Sequence, residues 1–102
     1  MKKLLLIFIF LIIPVFIFAY TSPGKPQGFV SDFANIIDAS TRQSLENKLL
    51  DLNNTKTAEI AVVTVPDLGD ESIETYAVKL FEEWGIGKKG VDNGLLLLVA
   101  PK

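Results

Sequence analysis

The sequence predicts an α/β fold, and three observations carry the prediction. Residues 40–53 and 72–84 place apolar side chains at helical spacing. Two short runs, AEIAVVTV (58–65) and LLLLVA (95–100), are mostly aliphatic or β-branched and lie between turn-forming residues. Helix-like and strand-like segments alternate, which is the pattern of a sheet with helical crossovers, right-handed if the strands are parallel.

The 102 residues hold at most one domain, and the 49% hydrophobic content overstates its core because much of it sits in one block at the front. Met1-Lys2-Lys3 is a short positive start, residues 4–18 are apolar apart from Pro14, and the small Ala19 precedes the turn-rich TSPGKPQG. This is the layout of a secretory signal peptide over residues 1–19. As a helix, residues 4–20 would reach roughly 25 Å, short of the roughly 30 Å hydrocarbon core, and Pro14 would bend it. An uncleaved N-terminal anchor is the alternative, since Ile17 is larger than the residue preferred three positions before a cut. Either way Lys2 and Lys3 stay on the cytoplasmic side. The expected location is therefore outside the cytoplasmic membrane, secreted or in the cell envelope.

Residues 20–28 carry two Pro and two Gly and read as a linker, leaving 29–102 for the domain. FVSDFANIID (29–38) is irregular in period and is expected as an extended arm with a turn near Asp32. Ser40-Thr41-Arg42-Gln43 matches a capping box that would start the first helix. Leu45, Leu49 and Leu52 give that helix one apolar stripe, and Asn53-Asn54-Thr55 is expected to end it. After the strand at 58–65 and the turn Pro66-Asp67-Leu68-Gly69, a second helix is expected from about Ser72 to Trp84. Ile73, Tyr76, Ala77, Leu80 and Trp84 form its apolar face. Asp92-Asn93-Gly94 reads as the turn before 95–100, a run without alternation that predicts a strand covered on both faces.

Charge and composition exclude several functions. Removing Lys2 and Lys3 from the 10 basic residues leaves 8 against 12 acidic ones, a formal charge of −4, which argues against nucleic acid as a partner. With no Cys and no His there is no disulfide framework, thiolate nucleophile, zinc–thiolate site or Ser-His-Asp triad within these residues. Carboxylates, hydroxyls, amides and Lys remain, and they favour hard cations if a metal is bound.

Gly85-Ile86-Gly87-Lys88-Lys89-Gly90 spells GxGxxG, the spacing of a dinucleotide loop. Such a loop must join a strand to the N-terminus of a helix, where free N–H groups meet the pyrophosphate. Here it leaves a helix C-terminus and enters a strand, so no nucleotide cofactor is expected. Gly85 reads instead as a helix C-cap.

GFVSDFANIID, a helix, AEIAVVTVPDL, SIETYAVKLFEEWGIGKKG and VDNGLLLLVA together resemble the TPM domain of bacterial envelope proteins and of thylakoid-lumen proteins of photosystem repair. The resemblance covers residues 28–102. It implies a helix–sheet–helix sandwich, export, a membrane segment further on, and, in some members, calcium binding and acid phosphatase activity. Members continue past the position of Lys102 into a further strand, so this chain corresponds to the N-terminal part of the domain and the sandwich is expected to be incomplete. Residues 20–102 alone are expected to pack poorly or aggregate through the last strand.

Two functions follow. The first is an exported binding or accessory module holding Ca2+ and a protein partner, associated with the membrane through the N-terminal segment or through one beyond Lys102. Its candidate ligands are Asp92, Asn93 and Asp32, and each has a plainer reading: Asp92-Asn93-Gly94 and Asp67 are turn formers, and Asp32 is placed to bond nearby N–H groups. The second is a metal-assisted phosphatase with Asp92 as candidate catalytic carboxylate and Lys88 or Lys89 neutralising phosphate. The second rests mainly on the resemblance.

Overall fold

The structure is a computed structural model that describes residues 20–56, 58–87 and 93–102. The expected leader, residues 1–19, and the loop residues 88–92 lie outside the described residues. Five elements follow one another: β1 (Val30–Asp32), α1 (Ala39–Lys56), β2 (Glu59–Thr64), α2 (Ile73–Trp84) and β3 (Gly94–Val99). The strands form one parallel sheet in the order β1-β2-β3, with Val30 opposite Val62, Asp32 opposite Thr64, Glu59 opposite Gly94 and Thr64 opposite Val99.

Because strand side chains alternate, β2 feeds two cores. Ala61, Val63 and Val65 pack with Tyr76, Leu80 and Ile86 on the α2 face, while Val62 packs with Val30 and Leu49 on the α1 face. β2 is flanked by strands and packed against helices on both faces, which is why its residues 60–63 are apolar without alternation. The α/β class and the helix–sheet–helix layering are as expected.

Four features differ from the sequence reading. The arm at 29–38 contains a strand, β1. Two of its three residues are polar and all three are buried, so no apolar period marks it. The Gln27 N–H donates to Ser31 Oγ (2.9 Å) and the Asp32 N–H to Gln27 Oε1 (3.0 Å), which satisfies those polar groups locally.

The start of α1 is capped by Asp38 rather than by a Ser40–Gln43 box. The Asp38 carboxylate accepts from the Thr41 hydroxyl (2.6 Å), the Ser40 hydroxyl (2.7 Å) and the Thr41 N–H (3.1 Å), while Gln43 donates to Asn47 instead. The Thr41 and Ser40 hydroxyls hold the Asp38 carboxyl down at about 2. The helix also runs to Lys56, past the expected stop at 53–55. Its Leu45, Leu49 and Leu52 stripe faces the sheet as the spacing predicts.

The linker expected over 20–28 is anchored along α2. The Tyr20 hydroxyl donates to Glu83 Oε1 and the Ser22 hydroxyl to Glu83 Oε2, both at 2.6 Å. Trp84 Nε1 donates to the Gly24 carbonyl (2.8 Å), and the Tyr20 ring meets Tyr76 edge-on at 5.0 Å. Partners some 60 residues away in the chain leave no local trace.

The fourth difference is at the sheet edge. Leu96 and Leu98 pack into the α2-side core, but Leu95 and Leu97 are 58% and 54% exposed on the other face. α1 covers β1 and β2 and does not extend over β3.

α2 itself follows the sequence. Ser72 caps it by accepting the Thr75 N–H (3.2 Å), and Gly85 ends it in the left-handed conformation at φ 61°. Gly85→Ala is expected to lower stability by about 1 kcal/mol, because a Cβ is disfavoured at that φ. Urea unfolding of the full-length protein measures this.

Candidate functional site

The chain leaves β1 and β2 at the same end of the sheet, where Asp32 stands opposite Thr64. In parallel α/β sheets, ligands sit outside the carboxyl ends of the strands. At this end lies a cavity of about 390 Å³, floored by Phe33, Val65 and Tyr76 and edged by Asp67, Gly69, Thr21 and Ser22.

Asp32 is 6% exposed, and its oxygens are committed. Oδ1 accepts from the Thr64 hydroxyl (2.6 Å) and the Ile36 N–H (3.1 Å), and Oδ2 accepts from the Ile37 N–H (3.0 Å). Burial pushes its carboxyl up, but the Thr64, Ile37 and Ile36 bonds and the Arg42 charge together pull it below the usual value. The charged carboxylate ties the turn after β1, including Asn35 at φ 55°, to the end of β2. Of its roughly four lone-pair sites, three are used inside the fold.

Asn93 stands at the other end of the sheet. Its carbonyl accepts the Glu59 N–H (2.9 Å) just before β3 begins. Glu59 and Thr64 are five residues apart on β2, roughly 17 Å at the rise of a strand. The structure therefore does not bring Asp32 and Asn93 together, since one Ca2+ reaches oxygens only about 2.4 Å away. Asp92, Lys88 and Lys89 lie outside the described residues, and among the described residues no three acidic side chains converge.

The rim of the cleft carries groups that the sequence reading placed elsewhere. Asp67 Oδ1 accepts the Gly69 N–H (2.9 Å) in the expected turn, and the residue also edges the cavity. The Tyr76 hydroxyl donates to the Thr21 carbonyl (3.1 Å). Burial pushes the Tyr76 phenol up, and the Glu83 and Asp67 charges add to this, so it stays a neutral donor. Sequence reasoning counted Tyr76 as core and Thr21 and Ser22 as linker. The only signal available was the run of hydroxyls next to Pro23 and Gly24.

Asp67, Thr21, Ser22 and Tyr76 offer oxygen atoms, and among the described residues no Lys or Arg lines the cavity. Such a rim suits a hard cation or a ligand rich in hydrogen-bond donors.

A family model for the TPM domain matches residues 30–102. Among solved structures, the chain is similar to the solution NMR structure of the N-terminal domain of a protein from P. gingivalis. The TM-score is 0.60 and the identity 30%, over 70% of this chain and 46% of that one. The chain thus spans just under half the length of that structure. No curated protein matches the sequence.

Proposed function

Since the chain belongs to the TPM domain family, we propose that it forms part of an exported, envelope-associated binding or accessory module that holds Ca2+ and a protein partner. The observation that supports a binding role is at the strand ends. The buried carboxylate, Asp32, is bonded into the fold, and the open cleft beside it presents oxygen atoms of Asp67, Thr21, Ser22 and Tyr76 to a ligand. The candidate oxygen ligands for the ion are Asp67 at the rim of the cleft and Asp92 and Asn93 of the turn that the sequence places before β3. Export is supported by the basic start, apolar run and small Ala19 of the leader.

Calcium titration of the full-length protein, followed by Trp84 fluorescence, is expected to saturate. Asp92→Asn is expected to weaken the response about tenfold, as loss of one charged ligand would. If Asp67→Asn abolishes it and Asp92→Asn does not, the ion belongs to the cleft. Release of phosphate from a generic ester, lost in Asp92→Asn, would replace the accessory role by the phosphatase. Recovery of the product in the cytoplasm with its first twenty residues intact would end the proposal of export.

A further inference from the structure

At the end of the sheet opposite the cleft, β1 and β2 do not start together. Val30 pairs with Val62, so β2 extends from Glu59 to Ala61 with no strand beside it on that edge. Glu46 holds the entry to β1: its two oxygens accept the Phe29 N–H (2.9 Å), which the ladder to β2 would otherwise use, and the Val30 N–H (2.8 Å). Gly28 makes this approach possible, because a Cβ there would lie 2.9 Å from Glu46 Oε1.

The gap is a cavity of about 280 Å³. Ala61 and Ile86 are buried beneath it, Phe29 and Trp84 form aromatic walls, and Glu46 and Glu59 supply two carboxylates. Among the described residues no basic side chain lines it. The Trp84 ring is held in place by its N–H bond to the Gly24 carbonyl (2.8 Å), so its wall is fixed before any ligand arrives. Glu59 Oε1 accepts the Gly87 N–H (3.1 Å), and Oε2 has no partner among the described residues.

We propose that this cavity binds a primary alkylammonium, with its methylene stem against Trp84 and Phe29 and its head on Glu59 Oε2. An aromatic and aliphatic lining would favour an apolar molecule, but two carboxylates with no counter-charge among the described residues of the lining would penalise a neutral or anionic one. An ammonium on an apolar stem answers both demands, and the indole face adds cation–π attraction. Free alkylamines and the lysine side chains of a protein share this chemistry.

Titration of the full-length protein with pentylamine and with Nα-acetyl-lysine amide, read by Trp84 fluorescence, tests it. A saturable response to either amine is expected, and the one that binds more tightly identifies the source. Glu59→Gln, which keeps an acceptor for the Gly87 N–H, is expected to weaken binding about tenfold, the loss of one charge-assisted hydrogen bond. Asp51→Asn, on the exposed side of α1, is expected to change nothing. N-acetylpentylamine, which lacks the charge, is expected to give no response from the unaltered protein. Absence of saturation with both amines, an unchanged affinity in Glu59→Gln, or equal binding of the acetylated compound would overturn the proposal.

Discussion

Replacing Asp32 by alanine is expected to destabilise the full-length protein by roughly 3 kcal/mol or more, as it strands the Ile36 and Ile37 N–H groups and removes the acceptor of the Thr64 hydroxyl. Each buried donor left without a partner costs about 1–3 kcal/mol, and the turn that leads into α1 loses its anchor. Asp32→Asn keeps one oxygen acceptor and is expected to lose about half as much. Urea unfolding curves for the two variants measure the difference. A loss below about 0.5 kcal/mol for alanine, the range of an uncommitted surface site, would show that the carboxylate is not structural.

The same carboxylate sets a dependence on pH. Its folded value lies below the unfolded value of 3.8, so the folded state favours the charged form. Its contribution is complete above that unfolded value and is lost as the pH falls through the lower folded value. Asp38 at the start of α1 acts in the same direction down to its folded value of about 2. The Asp32→Ala variant is therefore expected to lose less stability than the unaltered protein on acidification between these limits.

The second large effect is expected at β3. Expressed alone, residues 20–102 are expected to self-associate through this strand, because Leu95, Leu97 and Val99 are exposed on a strand that, among the described residues, is paired on one side only. Each leucine that becomes covered contributes about 1.5–3 kcal/mol, so a few such contacts favour association strongly. Leu97→Lys places a charge in the middle of the exposed face and is expected to shift the piece towards monomer in sedimentation velocity. Leu98→Lys is expected to unfold it, since Leu98 packs into the α2-side core. A monomer of residues 20–102 that unfolds cooperatively on heating would contradict the expectation.

The candidate site was legible only in its ingredients. Asp32, Asp67 and Asn93 could be picked out as turn-forming oxygen donors, yet nothing in their spacing says that Asp32 and Asn93 occupy opposite ends of the sheet. That follows from the parallel register of Val30 with Val62 and Glu59 with Gly94. Nothing in the sequence sets the Glu46 carboxylate apart, and its bonds to the Phe29 and Val30 N–H groups follow only from α1 lying across β1.

What the sequence by itself determined is the α/β class, both helices, the central strand and the glycine turn after Trp84. Each rests on a short-range rule: the period of apolar residues, a capping hydroxyl or a left-handed glycine, all acting within a few residues. The tertiary structure alone decided that Ser31 and Asp32 belong to a strand, that Asp38 caps α1, that the segment after residue 19 is strapped to Glu83 and Trp84, and that one face of β3 is uncovered. The strand, the strap and the uncovered face depend on partners about 30 to 60 residues away or on where a helix stops covering a sheet. The cap depends on which of two nearby polar residues, Asp38 or Ser40, the turn after β1 delivers to the free N–H groups.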